Sequence, residues 1–280
     1  MRLKLHLQYL GTGLYGWQRQ EGKGNTTGLE LPTVEGHLIS AWANLTGEIA
    51  PDFQAAGRTD AGVHALGQVV HIDTLWPHAA TPIKVLDGLN HFLPSTIRVV
   101  RVAQVEDSFH ARFAGHQRHY RYILSTTRVM RPDWFGRAGH DRRPLDIARM
   151  AEALTHLPLG EHDFSGFRDA ECQSQTPMCN LTHRSLVEAG EGFVHLYFSA
   201  NHFLHHMVRN MVGTLVECAL VADSTRQPRP VADMARVLEN RDRRHAGPTF
   251  GPEGLYFLGV DYPPHAEAHA VGTALDVSTL

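Results

Sequence analysis

The feature that most constrains this 280-residue chain is the segment from Gly57 to Ala65, with the sequence GRTDAGVHA. Small and apolar residues surround it, so we expect the segment to enter the interior. Yet Arg58 and Asp60 place a cation and a carboxylate two positions apart, and on an extended backbone both would leave the same face. Because burying a charge is costly unless the charge is paired or used, the segment is either a structural ion pair or part of a functional site.

Composition narrows the class of protein. Hydrophobic residues make up 42% and charged residues 20% of the chain, which is typical of a globular protein. The formal net charge is −3, so nucleic-acid binding would need a local basic patch. Three cysteines without close paired spacing (Cys172, Cys179 and Cys218) favour a reducing compartment over a disulfide framework or a zinc ribbon. Without a signal-peptide pattern or a long apolar run, we expect a soluble, cytoplasmic protein.

Hydrophobic periodicity predicts an α+β fold. The predicted strands are 3–9, 49–53, 69–72, 97–105, 119–124, 185–188, 193–198 and 255–260. The predicted helices are 33–44, 82–90, 144–156, 202–219 and 230–240. The residues after Pro263 are polar and small without clear periodicity, which predicts a flexible tail.

A GxGxxG pattern from Gly11 to Gly16 follows the first predicted strand. A dinucleotide site needs a helix to begin there, because the helix N-terminus binds the pyrophosphate. Here the chain continues through Trp17 into Gly22-Lys23-Gly24-Asn25, which has the composition of a loop. The pattern therefore predicts a glycine-rich turn and not a cofactor site.

Residues 108–132 contain no acidic side chain, but they contain five arginines and four aromatic residues. These are Arg112, Arg118, Arg121, Arg128, Arg131, Phe109, Phe113, Tyr120 and Tyr122. Arginines interleaved with aromatic rings are typical of a surface that binds phosphates and stacks bases. The alternative is an ordinary pair of strands with one solvated face.

The predicted helix 202–219 is apolar on nearly its whole circumference, which indicates a buried helix. Arg209 lies in its middle and needs an anion, because a guanidinium does not lose its charge. We infer that Arg209 meets Asp60; the alternative is that Arg209 reaches the surface or pairs elsewhere. His202 and His206 have i,i+4 spacing, but the HExxH glutamate is absent, so a metal site is not favoured.

The chain resembles the tRNA pseudouridine synthase A family in GRTDAGVHA and in further motifs, in order, along residues 11–262. These motifs are GWQRQ (16–20), FHARF (109–113), YRY (120–122), CQS (172–174), HHMVRN (205–210) and EGLY (253–256). The resemblance implies a homodimer that isomerises uridine to pseudouridine at positions 38, 39 and 40 of the anticodon stem-loop of tRNA, without a cofactor. It also implies two α+β lobes with mainly antiparallel sheets that meet at a central cleft, with helices on the outer faces.

The resemblance also assigns roles to residues. Asp60 is implied to be the catalytic aspartate, Tyr120 the aromatic residue that stacks on the substrate base, and Arg209 the basic partner of the aspartate. Arg58 is implied to assist base flipping and to bind RNA. Other implied or inferred RNA contacts are Phe109, His110, Ala111, Arg112, Phe113, Arg128, Glu171, Cys172, Gln173, Ser174 and Gln175.

We therefore expect an N-terminal lobe (1–107) with Asp60, a C-terminal lobe (108–264) with Tyr120 and Arg209, and a flexible tail (265–280). Asp60 could attack the base, attack the sugar or remove a sugar proton, and the sequence leaves these three roles open. The competing hypotheses are a non-catalytic tRNA-binding module, supported by the basic and aromatic stretch, and a histidine-rich metal hydrolase.

Overall fold

The structure is a computed structural model that describes residues 1–20, 31–49 and 51–273. The predicted loop at Gly22–Asn25 lies outside the described residues, as does the last part of the predicted tail, 274–280. Residue 50, inside the predicted strand 49–53, also lies outside them.

The described residues combine strands and helices, as the sequence predicted. The strands are β1 (Arg2–Tyr9), β2 (Gln54–Ala55), β3 (His64–Asp73), β4 (Ile97–Val105), β5 (Gln117–Ser125), β6 (Gly139–His140), β7 (Gly160–Asp163), β8 (Met178–Gly190), β9 (Phe193–Ala200), β10 (Leu255–Asp261) and β11 (Glu267–Gly272). The α-helices are α1 (Val34–Thr46), α2 (Pro82–Phe92), α3 (Ile147–Thr155), α4 (Met207–Ala219) and α5 (Asp233–Asn240). Strand pairing is mostly antiparallel, and β6 pairs with β5 in parallel.

The chain forms two compact units. Unit 1 consists of the described residues of Met1–His116 and Phe257–Leu280, and unit 2 consists of Gln117–Tyr256. These bounds lie at 116/117 and 256/257, whereas the sequence analysis expected lobes of 1–107 and 108–264 followed by a tail.

In unit 1 the strand order is β11, β4, β1, β3 and β10, and β2 also pairs with β3. Leu3, Leu5 and Leu7 alternate along β1 and are fully buried. Helices α1 and α2 pack against each other, and α2 also contacts β4 and β11. The period-two pattern of the first strand therefore correctly predicted a strand with one face in the core.

Helix α1 shows how local sequence sets the bounds of an element. The Thr33 hydroxyl accepts a hydrogen bond from the Gly36 amide, which satisfies one of the free N–H groups of the first turn. At the other end Gly47 adopts a φ of +78°, and its N–H donates to the Ala43 carbonyl. The helix thus starts where the sequence predicted and extends two residues past the predicted end at Asn44.

Two predictions for unit 1 differ from the structure. Of the predicted strand 49–53, the described residues 49 and 51–53 do not lie in a strand: the strand here is Gln54–Ala55, and Ile49 is 93% exposed. Conversely, the segment predicted to lack regular structure contains β11, which pairs with β4. Most side chains of β11 are exposed, so this strand forms through backbone pairing and leaves no alternating hydrophobic pattern in the sequence.

In unit 2 the strand order is β5, β9, β8 and β7, with β6 beside β5. Helix α4 packs against α3 and α5, and nearly all of its residues are buried, as its apolar circumference predicted. The helix begins at Met207 and not at His202, because His206 adopts a φ of +60° and interrupts the helical backbone.

The three cysteines and the lengths of the helices bear on chemistry and on membrane insertion. Cys172, Cys179 and Cys218 are free thiols. Burial raises the pKa of Cys179 to about 12 and that of Cys218 to about 11, so both stay protonated and unreactive at neutral pH. Within the ranges that the structure describes, the helices lack the length and apolar character needed to cross a membrane.

We predict that Gly67→Ala destabilises unit 1. A Cβ at Gly67, on β3, would lie 2.1 Å from the carbonyl oxygen of Leu258 on β10, so the two strands must separate. The expected loss is about 1–3 kcal/mol of the free energy of unfolding, measured by urea denaturation. Gly57→Ala is the matched control, since a Cβ there meets no atom within 4 Å. Equal stabilities of the two variants would contradict this account of the strand contact.

Candidate active site

The segment that carries Asp60 is the irregular connection between β2 and β3, and not an extended strand. The Val63 amide donates to the Asp60 carbonyl at 3.1 Å, and Gly62 adopts a φ of +81°, so residues 60–63 form a tight turn. Asp60 is half-buried and Arg58 is exposed. The turn thus presents the carboxylate at the edge of the core and the guanidinium to solvent.

The glycine-rich loop after β1 packs directly against this turn. The Gly62 amide donates to the Leu14 carbonyl at 3.1 Å, and the Trp17 amide donates to the Thr59 carbonyl at 3.0 Å. A Cβ at Gly11 would lie 2.1 Å from the Val63 carbonyl oxygen, and one at Gly16 would lie 2.7 Å from that of Thr59. The glycines of the GxGxxG pattern therefore allow close contact between two backbones, and the predicted glycine-rich turn is confirmed.

A buried hydrogen-bonded group supports the same turn from below. The hydroxyls of Tyr9 and Thr59 lie 2.8 Å apart, and the Gln68 side-chain amide donates to the Gly57 carbonyl at 2.8 Å. Burial raises the pKa of Tyr9 to about 12, so its hydroxyl keeps its proton. The sequence analysis missed these supporting residues: it placed Tyr9 only as a position of the first strand, and Gln68 lay just outside the predicted strand 69–72.

Unit 1 also contains the predicted RNA-contacting segment 109–113, which has no regular secondary structure. Arg2 donates to the carbonyls of Asp107 and Phe109. The Ala111 amide donates to Nδ1 of His71 at 3.1 Å. These contacts fix a segment that lacks a hydrogen-bonding pattern of its own.

Side chains of this segment divide into anchors and exposed groups. Phe109 and Ala111 are buried, whereas Arg112 is exposed and Phe113 is 77% exposed. His110 accepts hydrogen bonds from the amides of Arg112 and Phe113 at 3.1 and 3.3 Å, and its ring lies 4.4 Å from that of Phe113. The Arg112 guanidinium lies 5.8 Å from the Phe113 ring. A cation and an aromatic face are thus presented together, as binding of phosphate and base requires.

In unit 2, Tyr120 lies on β5 and Arg209 in the first turn of α4. Both are half-buried, and the Tyr120 ring contacts Phe203 edge-on at 5.0 Å. Arg209 Nε donates to the Phe250 carbonyl at 2.8 Å, while the Phe250 amide donates to the Arg209 carbonyl at 3.2 Å. This double contact orients the guanidinium. The expected meeting of Asp60 with Arg209 joins different units and stays a prediction.

A second group of polar side chains fixes the loop that contacts Arg209. Arg243 donates to Asn210 Oδ1 and to the Thr249 hydroxyl, both at 3.0 Å. Asn210 is fully buried and donates to the Phe167 carbonyl at 2.8 Å. The sequence analysis did not single out Arg243, whose guanidinium belongs to an internal hydrogen-bond network beside Phe250.

The predicted RNA-contacting loop Glu171–Gln175 is held by Arg168, which donates to the carbonyls of Cys172 and Ser174 at 2.8 Å each. Asp169 accepts from the Glu171 amide at 2.9 Å. The side chains left exposed are those of Glu171, Gln173 and Gln175. Arg128 is exposed in the bend after β5.

The histidines that suggested a metal site have other contacts. His202 Nε2 lies 3.4 Å from the Cys179 sulfur, and His206 Nδ1 lies 2.8 Å from the Asp169 carboxylate. Because α4 begins at Met207, His202 and His206 do not share a helical face, and the i,i+4 spacing argument was wrong. Although burial opposes ionisation of Asp169, hydrogen bonds from the Glu171 amide and from His206 lower its pKa.

Comparison with known proteins adds independent information. A family described as tRNA pseudouridine synthase matches residues 154–263. The tRNA pseudouridine synthase A of Burkholderia thailandensis is 44% identical over 264 residues, which cover 94% of this chain and 90% of that protein. The tRNA pseudouridine synthase A of Dechloromonas aromatica is 42% identical over 266 residues, covering 95% and 94%. A solved structure of the archaeal box H/ACA sRNP Nop10-Cbf5 complex matches with a TM-score of 0.29 and 9% identity over 87% of this chain and 60% of that chain, which is too weak to support an argument.

We predict that His71 makes unit 1 sensitive to acid. Burial, with a contribution from Arg2, lowers the pKa of His71 from 6.5 to about 4. Between these values the unfolded chain binds more protons than the folded one, so stability is complete above about pH 6.5 and falls as the pH drops towards 4. Between pH 7 and pH 4.5 the loss should reach about 2 kcal/mol.

Urea denaturation at pH 7, 5.5 and 4.5 measures this loss. His71→Asn keeps an acceptor for the Ala111 amide but does not titrate, so its stability should fall less steeply. His6, whose pKa burial lowers to about 3, supplies part of the remaining slope. Parallel pH profiles of the variant and the unaltered protein would show that His71 is not responsible.

Proposed function

This chain belongs to the tRNA pseudouridine synthase family and isomerises uridine in tRNA to pseudouridine, and from that premise we propose that its targets are positions 38, 39 and 40 of the anticodon stem-loop. The family resemblance of GRTDAGVHA and of the motifs that follow it supports this choice of target. Family membership also favours an enzyme over a non-catalytic tRNA-binding module.

The observation that carries the proposed mechanism is the fixed turn of Asp60. The reaction breaks the bond between N1 of uracil and C1′ of ribose, turns the base and joins C5 to C1′, with no net oxidation or reduction. A carboxylate held in one place before the substrate arrives needs little reorganisation during this sequence. The backbone contact with the glycine-rich loop and the Tyr9–Thr59 hydrogen bond hold Asp60 in this way.

The other catalytic roles are assigned to three residues. Tyr120 stacks on the everted uracil and binds it, because a flipped base needs a new aromatic surface. Arg58, exposed beside the Asp60 turn, enters the space that the base leaves. Arg209, whose guanidinium is oriented by the Phe250 carbonyl, pairs with the Asp60 carboxylate and keeps it ionised. The family resemblance supports the accompanying proposal that the substrate uridine binds in a cleft between two lobes.

The exposed groups provide the remaining contacts with tRNA. Segment 109–113 offers Arg112 and Phe113 to the phosphates and bases, the loop 171–175 offers its polar side chains, and Arg128 binds phosphate. The same family resemblance supports a homodimer, which sedimentation would test, and a cytoplasmic location, where tRNA is found.

We predict that Asp60→Asn abolishes pseudouridine formation while tRNA binding survives, since the amide keeps the shape but not the charge of the carboxylate. The expected fall in turnover is at least about 10⁴-fold. Carbodiimide labelling of unmodified tRNA, read by primer extension, measures the product and its position. Asp52→Asn makes the same chemical change on an exposed residue of unit 1 and should remain active.

Two results would contradict the proposal. Turnover by Asp60→Asn would reject the catalytic role of the carboxylate. Modification by the unaltered protein at uridines other than 38, 39 and 40 would reject the proposed target.

We predict that Phe113→Ala and Arg112→Ala weaken tRNA binding more than catalysis. Losing one stacked ring should raise KM for tRNA about 5- to 150-fold with little change in kcat, because each stacked base contributes about 1–3 kcal/mol. Arg112→Ala should also reduce the slope of log KM against log salt by roughly one. Phe135→Ala, which removes a ring that is 80% exposed in unit 2, is the control. An unchanged KM in both variants of segment 109–113 would remove this segment from the binding surface.

A further inference from the structure

The chain that follows β10 returns to the segment 109–113. The Tyr262 hydroxyl donates to the Ala111 carbonyl at 2.7 Å. The His265 ring stacks on Phe109 with centroids 4.9 Å apart and planes inclined by 27°, and the Tyr262 ring lies 5.2 Å from Phe109. A residue of the segment is thus bound on each side: the Ala111 amide contacts His71, and its carbonyl contacts Tyr262.

Lys4 fastens this C-terminal region to the sheet of unit 1. Its ammonium lies 5.1 Å from the Phe109 ring and 4.7 Å from the Tyr262 ring, within the range of a cation–π contact. The same nitrogen lies 2.8 Å from the Glu267 carboxylate and 2.9 Å from His265 Nε2. The Lys4 side chain is only 4% exposed, so these contacts replace its hydration.

Glu267 completes the connection through a second cation, Arg101, at 2.7 Å. Burial opposes ionisation of Glu267, but hydrogen bonds from Lys4 and Arg101 lower its pKa to about 2. The carboxylate is therefore charged at neutral pH. Removing one partner would leave a buried charge unpaired, so this ion pair is expensive to break once formed.

From these contacts we propose that Tyr262, His265 and Glu267 form a C-terminal strut that positions the segment 109–113 for tRNA binding. The inference rests on the proposed function, because it assigns a task to the segment that Arg112 and Phe113 share. An irregular segment that is fixed before it meets RNA loses less conformational freedom on binding, and this increases affinity. The strut residues are positioning residues, since they act through 109–113.

Tyr262→Phe and His265→Ala test the proposal in the full chain. Tyr262→Phe removes the hydroxyl and keeps the ring, whereas His265→Ala removes the ring that stacks on Phe109. We expect amide hydrogen exchange at residues 111–113 to accelerate about tenfold, and KM for tRNA to rise about 5- to 10-fold with kcat within about twofold. His265→Phe restores a stacking ring and should restore both values.

Tyr256→Phe is the matched control, because it removes a tyrosine hydroxyl that donates to the Arg137 carbonyl in unit 2 at 2.7 Å. It should leave exchange at residues 111–113 unchanged. If His265→Ala does not fold, as judged by its circular dichroism spectrum, Tyr262→Phe alone decides the question.

Two outcomes would overturn the strut. One is unchanged hydrogen exchange at 111–113 in Tyr262→Phe, and the other is faster exchange without any rise in KM. Failure of the proposed function would give a different result. In that case Phe113→Ala and Arg112→Ala would leave KM for tRNA unchanged. The exchange measurement would still test the strut, because it does not involve RNA.

Discussion

The position of Asp60 depends on a contact between two stretches of main chain. Gly11 and Gly16 lack a side chain where the carbonyls of Val63 and Thr59 approach most closely, and two amide-to-carbonyl hydrogen bonds join the same stretches. A direct contact between backbones fixes their separation more tightly than side-chain packing does, because no side-chain torsions lie between them. The Tyr9–Thr59 hydrogen bond then adds a buried support below the turn. These contacts leave the backbone that carries the Asp60 carboxylate few alternative conformations.

Much of the fold could be predicted because burial was regular along the chain. The strand β4 has the bounds that its alternation predicted, and α4 is buried on all sides, as its apolar circumference required. The prediction failed where the hydrophobicity of the side chains does not indicate the conformation of the backbone. β11 exposes most of its side chains, and His206 takes a left-handed conformation that no hydrophobic pattern marks.

In the candidate site, likewise, some residues could be predicted from the sequence and others could not. Unusual residue types marked Asp60, Arg209 and the segment 109–113, because charges in apolar surroundings and arginines among aromatics are informative without a structure. Their supports were not marked. His71 reaches the Ala111 amide from a distant strand, and Arg243 reaches Asn210 across a loop, so the pairing depends on the fold and not on local sequence. The GxGxxG pattern was ambiguous for the same reason. Glycines allow another group to approach closely, but the pattern does not show whether that group is a cofactor or another stretch of backbone.

The order of strands in unit 1 has a consequence for how the protein is made. The strands β1, β3 and β4 are translated before unit 2, but their outer neighbours β10 and β11 begin only at the end of unit 2 and beyond it. While the nascent chain grows on the ribosome, both edges of this three-stranded sheet therefore lack their neighbours from residues 255–272 and expose unsatisfied backbone groups. Lys4 is translated 263 residues before Glu267, so their ion pair cannot form until unit 2 has been synthesised. Unit 1 can therefore mature only after β10 and β11 have been translated, and a chain that stops before them would keep open edges prone to aggregation.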